Sequence, residues 1–458
     1  MPRSNHIKVL FTSSKTHRWL LLILLAAFVL RLVVALGQNP LDPYSSASGD
    51  SWWYLDHGLK LFHNAVNGPP QSAPLYLLWA GFWETVLPGA GAVIAMRLSQ
   101  VVMATATCWF AYRLAKALTD DERAGLVAAG ALAIAPVFVL ETAQLLTETP
   151  YIFFVAGGLT AYVEMVKNPD PTTRRYARVI LISLLLALAT MTRAVLILFP
   201  LGLAIHLLLV YGWRRGLQYA VLLLTIYALV TSIWTIYNEE RWHTPVIGAQ
   251  GLSAFLLIGA TEWTSPQDMD ATLTAEAGGQ LSTQVGDQQE VYANAAAEAI
   301  SSNLPGWLAR RVTKLAGAYL QPHGTIFFHG ESLKSLAVDW LKHDRTPAGL
   351  LRLTQGDEFW PKLSMYLFHY TSLLAGIVGI WITRRKWRVA LPLSGFILYT
   401  SLVHLFLEAI PRYLFPLSFV WWVFAAVTLV AIWDRVRRPH RNSLVSPVNP
   451  ATDHIASV

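Results

Sequence analysis

Residues 19–36 read WLLLILLAAFVLRLVVAL, an apolar stretch in which Arg31 is the only charged residue. A helix that crosses a bilayer needs roughly 20 mostly apolar residues, because its backbone polar groups must hydrogen-bond within the helix. The stretch follows a basic segment, as a secretory signal would, but it lacks a clear small-residue cleavage site. We therefore expect it to be the first of several membrane-spanning helices.

Apolar windows of similar length recur along the rest of the chain. With 54% hydrophobic and only 14% charged residues among 458, the composition excludes an ordinary soluble protein. The sequence predicts an all-α integral membrane protein with about ten transmembrane helices. The predicted spans are residues 19–36, 93–117, 124–141, 146–166, 178–193, 195–212, 217–237, 364–382, 389–407 and 412–433.

Clusters of Lys and Arg lie in alternate loops between these spans, near residues 113–116, 174–178, 214–215, 384–388 and 435–441. Basic loops remain in the cytoplasm, so we expect a multi-pass protein of the cytoplasmic membrane with both termini inside. The net charge of +7 forms no continuous basic face, which argues against a nucleic-acid partner. The single cysteine, Cys108, excludes a disulfide framework.

The spans divide the chain into four parts. Residues 1–237 form an N-terminal transmembrane module with a short amphipathic first outer loop at 37–92, and residues 364–438 form the C-terminal transmembrane helices. Residues 238–363 predict a small extracytoplasmic subdomain, and residues 439–458 a cytoplasmic tail. Within the subdomain, residues 307–320 predict an amphipathic helix that lies either on the membrane or on an ordinary protein surface.

Several ionisable residues lie at span ends on the predicted outer face, where each needs a partner or a function. Carboxylates beside arginines suit transfer from a lipid phosphate, since an acid deprotonates an acceptor hydroxyl and guanidinium groups bind phosphate oxygens. Mutual pairing that only stabilises the helix bundle is the alternative, and charge placement alone leaves both open. These residues are Asp50, Asp56, Glu141 and Glu148 on the acidic side and Arg97, Arg193 and Arg412 on the basic side.

A series of short motifs covers nearly the whole chain, and together they resemble the GT-C glycosyltransferases. The resemblance is to the bacterial branch related to protein O-mannosyltransferases and to the aminoarabinose transferases of lipid A. Each motif is weak alone, but their joint order is moderately specific. The motifs are GDSWWYL at 49–55, SAPLY at 72–76, RLSQ at 97–100, LTETP at 146–150, TMTR at 190–193 and EAIPRYLFP at 408–416.

The resemblance implies a role for each matched residue. Asp50 would be the catalytic base, and Glu148 would position the acceptor or share a divalent metal, Mg or Mn, with Asp50. Arg193 and Arg412 would face the donor phosphate, with Arg97 as a further candidate. Candidates for substrate contacts are Tyr54, Trp53, Tyr76 and Tyr413.

The implied activity is transfer of a hexose or pentose from a polyprenyl-phosphate donor at the outer face, with inversion in a single step. The acceptor could be a glycan, a lipid or a protein. The chain departs from many relatives in having Ser51 directly after Asp50, and Ser72 and Ala73 in place of Arg-Pro before Pro74. A secondary transporter and a non-catalytic subunit of an envelope-assembly complex are the alternatives.

Overall fold

The computed structural model describes residues 4–39, 50–66, 68–70, 72–168, 171–249, 252–261, 285–328, 331–356 and 358–437. The predicted tail at 439–458, and parts of the outer loops at 37–92 and 238–363, lie outside these residues. Regular secondary structure in the described part is entirely helical. The prediction of an all-α membrane protein is therefore confirmed.

The helices are numbered in chain order within the described residues. In the N-terminal module they are α1 (Ser4–Gly37), α2 (Asp50–Phe62), α3 (Pro74–Val86), α4 (Ala90–Thr119), α5 (Glu122–Ile134), α6 (Pro136–Glu141), α7 (Glu148–Lys167), α8 (Thr172–Thr192) and α9 (Phe199–Trp242). The remaining helices are α10 (Leu252–Ala260), α11 (Val285–Ser302), α12 (Leu304–Leu320), α13 (Leu333–His343), α14 (Pro347–Leu353), α15 (Phe359–Thr383), α16 (Trp387–Phe406), α17 (Pro411–Leu414) and α18 (Ser418–Val436).

Seven helical stretches of the described chain are long and apolar enough to cross a membrane, and two of them, Ala194–Trp242 and Phe359–Phe406, are about twice the length that one crossing needs. Helix α9 folds back at Gly212, whose φ of 75° and ψ of 172° are not helical. The turn brings Gly216 against the main chain of Leu207, which a straight helix would hold far away. The second long stretch is divided between α15 and α16 by a short 3₁₀ turn at Arg384–Lys386.

The predicted span at 124–141 is broken into α5 and α6. Ala135 ends α5 with φ −60° and ψ 118°, and Pro136 begins α6. Proline disfavours a helical conformation at the preceding residue and lacks an amide hydrogen to continue the helix. The break frees the end of α6 to change direction before the turn that leads into α7.

The first outer loop contains two short helices, α2 and α3, that pack closely side by side. A β-carbon at Gly58 would clash with the carbonyl of Leu77, and one at Gly81 would clash with the carbonyl of Gly58. Two glycines therefore let the helix backbones touch, as small residues do between membrane helices. This packing fixes the position of α2, which begins with Asp50.

Helix α12 covers the predicted amphipathic segment at 307–320. Trp307 and Arg311 are buried, and the Arg311 guanidinium donates to the carbonyls of Leu405 and His404 at 2.8 and 3.0 Å. These carbonyls belong to the last turn of α16, where helix carbonyls lack partners within the helix. One face of α12 therefore packs on protein and caps α16.

The two ends of the helix bundle differ in charge. One end carries ion pairs between predicted cytoplasmic loops, with Lys167 and Lys386 on Asp120 at 2.5 and 3.0 Å, and Arg123 on Asp434 at 2.6 Å. Helix α7 runs from this end to Glu148 over 20 residues, or about 30 Å. Glu148 therefore lies at the end of the bundle opposite to these basic loops.

Replacing Gly212 with Ala tests the turn within α9. The backbone conformation at Gly212 is essentially restricted to glycine, so we expect Gly212→Ala to lower the free energy of unfolding by about 1–3 kcal/mol. Thermal unfolding of the purified protein in detergent would measure this. Gly202→Ala is the matched control in the same helix, since a β-carbon there meets no atom within 4 Å and alanine favours helix. Equal destabilisation by both variants would contradict the turn.

Candidate active site

Four predicted residues come from four ends of secondary-structure elements. Asp50 begins α2 and Glu148 begins α7, where the helix dipole favours a negative charge. Arg193 follows the last residue of α8 in an extended conformation. Arg412 follows Pro411, which starts the short helix α17 with the backbone angle that a first helical turn requires. Because all four residues lie at or next to helix ends, their side chains can meet at one end of the helix bundle.

The structure brings these four residues into one cluster. Nη1 of Arg193 donates to Oε1 of Glu148 at 2.7 Å, and Nε of Arg412 donates to the same oxygen at 2.6 Å. Nη2 of Arg412 also lies 3.5 Å from Oε2 of Glu148, and its Nη1 donates to Oδ2 of Asp50. Arg412 thus links the two carboxylates, while Glu148 links the two guanidinium groups.

Exposure separates the two acids of the cluster. The Glu148 side chain has no exposed surface, whereas the Asp50 side chain is 47% exposed. An ionised carboxylate is costly to bury without cationic partners, so the two guanidinium groups stabilise Glu148 in its charged form. Asp50 is the acid that a molecule from solvent can reach.

Aromatic side chains surround this cluster. The Tyr54 ring contacts the Tyr76 ring edge-on at 5.0 Å and the Trp53 ring at 5.4 Å. Burial raises the pKa of the Tyr54 hydroxyl, and the negative charge of Glu148 raises it further. Tyr54 therefore stays protonated and can act as a hydrogen-bond donor. Trp53 itself stacks on His57 at 4.2 Å.

The Arg193 guanidinium is sandwiched by tyrosines. It lies 5.3 Å from the centre of the Tyr413 ring and 5.8 Å from that of Tyr151. Tyr413 in turn stacks on His404 at 5.4 Å. A cation over an aromatic face is held electrostatically without using its N–H donors. Arg193 therefore keeps its orientation while most of its donors remain available.

Arg97, predicted as a further candidate to face the donor phosphate, contacts main-chain carbonyls in the structure. Its Nε donates to the carbonyl of Ala143 at 3.0 Å and its Nη1 to that of Gln38 at 2.9 Å. The residue is only 3% exposed. These contacts do not support phosphate binding by Arg97; instead they fix the turn that precedes Glu148.

Gln100 is a residue of this region that the sequence analysis missed. Its Nε2 donates to the carbonyls of Thr142 and Gln144 at 2.9 and 2.6 Å, and its Oε1 accepts from the Tyr76 hydroxyl at 3.2 Å. It thereby joins the first outer loop to the turn before Glu148. Its signals in the sequence are its place at the end of the RLSQ motif and its position three residues after Arg97, on the same face of α4.

A second missed contact joins the long outer loop to the transmembrane module. Nε2 of His323 lies 3.1 Å from Oε2 of Glu141, and both side chains are buried. Glu141 ends α6, and His323 begins a short 3₁₀ helix after α12. Because a histidine distant in sequence supplies the partner, only the folded chain reveals this pair.

The predicted metal site consists of Asp50 and Glu148, the two acids of this cluster. Both carboxylates bind the Arg412 guanidinium, which a divalent cation between them would have to displace. In the described part of the chain, no group of three His, Cys, Asp or Glu side chains is arranged to hold a metal ion. Two carboxylates that already share one arginine are a poor donor set for Mg²⁺ or Mn²⁺.

Comparison with solved structures identifies the fold. The apo crystal structure of the Archaeoglobus fulgidus oligosaccharyltransferase matches with a TM-score of 0.51 and 13% identity, over 91% of this chain and 51% of that chain. The same enzyme in complex with Zn and sulfate matches with a TM-score of 0.51 and 13% identity. This match covers 91% of this chain and 49% of that chain. A third match is the archaeal oligosaccharyltransferase AglB from Archaeoglobus fulgidus in complex with an inhibitory peptide and a dolichol-phosphate. Its TM-score is 0.50 at 14% identity, over 92% of this chain and 51% of that chain. The chain spans about half the length of these proteins.

Comparison of the sequence identifies a family signature. No curated protein sequence matches the chain. Residues 73–237 match the family model described as dolichyl-phosphate-mannose-protein mannosyltransferase, and this segment includes Glu148 and Arg193. The family match over residues 73–237 and the shared fold agree with the resemblance to GT-C glycosyltransferases, and the candidate spans indicate a multi-pass membrane protein.

Proposed function

We propose that the protein transfers a sugar from a polyprenyl-phosphate donor to an envelope acceptor at the outer face of the cytoplasmic membrane, with inversion at the anomeric carbon. Asp50 is the general base, and Arg193 and Arg412 bind the donor phosphate. One observation carries the proposal: two acids and two arginines from distant parts of the sequence meet in one cluster, and one acid is open to solvent.

The hydrogen-bond donors left over in the cluster support phosphate binding. Arginine carries five N–H groups. In contacts with the described residues, Arg193 uses one of them and Arg412 uses three. Several charge-assisted donors therefore remain for phosphate oxygens, mainly on Arg193. Glu148 keeps both guanidinium groups in place when no donor is bound.

Charge balance through the reaction also supports this assignment. The acceptor oxygen forms a bond to the anomeric carbon while the bond from that carbon to the phosphate oxygen breaks, leaving its electron pair on the phosphate. The acceptor proton passes to Asp50. The phosphate thus gains a negative charge as Asp50 loses one, so the total charge beside Arg193 and Arg412 stays constant. A fixed cationic environment can stabilise such a transition state without rearranging.

The position of the cluster in the bundle supports the outer face. It lies at the end opposite to the ion pairs of Asp120 and Asp434, in loops that the positive-inside rule assigns to the cytoplasm. In this orientation both termini are cytoplasmic. The donor lipid then occupies the outer leaflet, and the acceptor approaches from outside the membrane.

The compared structures bear on the donor, the acceptor and the metal. One neighbour is in complex with a dolichol-phosphate and an inhibitory peptide, which favours a phosphate-linked polyprenyl donor here and includes protein among the acceptor classes. Another is in complex with Zn and sulfate. In this chain the Arg412 guanidinium contacts both carboxylates, and the proposed step relies on this arginine as a cation beside the phosphate, with or without a divalent metal.

Asp50→Asn tests the base. The amide keeps the shape of the side chain but cannot accept a proton, so transfer should fall by about 100-fold or more while the protein remains folded. Transfer of label from polyprenyl-phosphate [³H]mannose to an acid-precipitable or lipid acceptor in a membrane fraction would measure it.

Asp56→Asn is the matched control for the base. It makes the same chemical change six residues along α2, where Asp56 pairs, among the described residues, with the exposed Lys60 and the neighbouring His57. Such pairs contribute little to stability, so activity should be unchanged. Normal turnover by Asp50→Asn, or equal loss in both variants, would contradict the role of Asp50.

Arg193→Ala tests the phosphate contact. Losing charge-assisted hydrogen bonds of about 1.5–3 kcal/mol should raise the apparent KM for the donor by roughly 10-fold to 100-fold. Arg241→Ala serves as the control, because Arg241 is an exposed arginine near the start of the long outer loop. Measured at saturating acceptor, an unchanged donor KM for Arg193→Ala would exclude phosphate binding by this residue.

A further inference from the structure

Helix α13 is amphipathic, yet none of its residues is buried. One face carries apolar residues at helical spacing, namely Leu333, Leu336, Ala337, Trp340 and Leu341. The opposite face carries Lys342, Ser335 and Asp339. Leu341 is 53% exposed. An apolar helix face of this kind requires a partner, because exposed apolar surface costs free energy in water.

Contacts with helix α15 fix the height of α13 relative to the membrane. Nζ of Lys362 donates to the carbonyl of Glu331, just before α13, at 3.1 Å. The Tyr366 hydroxyl contacts Ser332 and the main chain of Lys334. The start of α13 therefore lies level with the first two turns of α15.

Two tryptophans mark where α15 leaves the membrane. Trp360 and Trp381 are each 66% exposed, near opposite ends of this helix. Their separation of 21 residues corresponds to about 32 Å along a helix, close to the thickness of the hydrocarbon core. Tryptophan concentrates at membrane interfaces. The level of Trp360 is thus the interface on the side of the candidate active site, and α13 begins within one or two turns of it.

The following helix forms a small unit with α13. Nε1 of Trp340 donates to the carbonyl of Thr346 at 2.9 Å, and Arg352 pairs with Asp344 at 2.7 Å. Helix α14 exposes Leu350 and Leu351 to 48% and 64%. Exposed apolar side chains are therefore present both on α14 and at the start of α15, where Trp360 lies.

We propose that α13 and α14 form a membrane-binding element whose apolar face inserts into the lipid interface on the active-site side. The tryptophan, the leucines and the polar face with lysines are typical of a helix that lies in the interface plane. Residues 331–358 contain four basic residues (Lys334, Lys342, Arg345, Arg352) and five acidic residues (Glu331, Asp339, Asp344, Asp357, Glu358). Insertion therefore depends on apolar contact rather than on anionic lipid.

Single-cysteine labelling tests this element in the full-length protein. Cys108 is buried and is the only cysteine, so a Cys108→Ala background accepts one label at a chosen position. L341C and L336C place an environment-sensitive fluorophore on the apolar face, and K342C and S335C are their matched controls on the polar face. Each variant is reconstituted in phosphatidylcholine vesicles with or without a lipid that carries a nitroxide near its headgroup.

We expect the nitroxide lipid to quench L341C and L336C at least about two-fold more than K342C and S335C, with aqueous iodide giving the reverse order. Equal iodide quenching at all four positions would show that the face is in water and would overturn the proposal. Protection of L341C and L336C from both quenchers would place protein there instead and would also overturn it. The readout is independent of transferase activity.

Discussion

The packing of the helix bundle around the candidate active site depends on the buried carboxylate of Glu148. Glu148 is completely buried, and among the described residues the guanidinium groups of Arg193 and Arg412 form ion pairs with it. An unpaired charge at this position would cost several kcal/mol, so the ends of α8 and α17 must lie beside the start of α7 for the bundle to be stable. The same requirement orients both arginines before any substrate arrives. Helix packing and site geometry are therefore two consequences of one interaction.

The two acids of the cluster have different environments and can therefore have different tasks. Glu148 is enclosed and shares its oxygens with two cations, which makes it a fixed counter-charge. Asp50 shares only Arg412 and is about half exposed, so an acceptor hydroxyl can reach it. Because Arg412 touches both acids, proton uptake by Asp50 would weaken one of its contacts just as the leaving phosphate gains charge. The Nη1 donor of Arg412 is then available to the phosphate, while its Nε contact with Glu148 holds the guanidinium in place.

The sequence predicted the parts of the structure that follow from local composition. Apolar windows at 195–212 and 217–237 anticipated the turn of α9 at Gly212, because the polar residues between them could not stay in the membrane. The break at Pro136 was missed because the window was read by hydropathy alone, although proline favours such a break. The motifs anticipated where the charged residues meet. They could not show that Arg97 and Gln100 donate hydrogen bonds to main-chain carbonyls of the turn before Glu148. That turn lies 40 or more residues away in the sequence.

The depth of the cluster in the membrane bears on the choice between a glycosyltransferase and a secondary transporter. Transporters bind their substrates near the middle of the bilayer, at interrupted helices. Here Glu148 is the first residue of a 20-residue span, and Arg412 precedes the span of α18 by a single short turn. Charges at helix ends lie near the level of Trp360, where a lipid headgroup and a water-soluble or membrane-bound acceptor can both arrive. A site at that level suits a reaction on the phosphate of a lipid whose chain stays in the bilayer, as the proposed transfer requires.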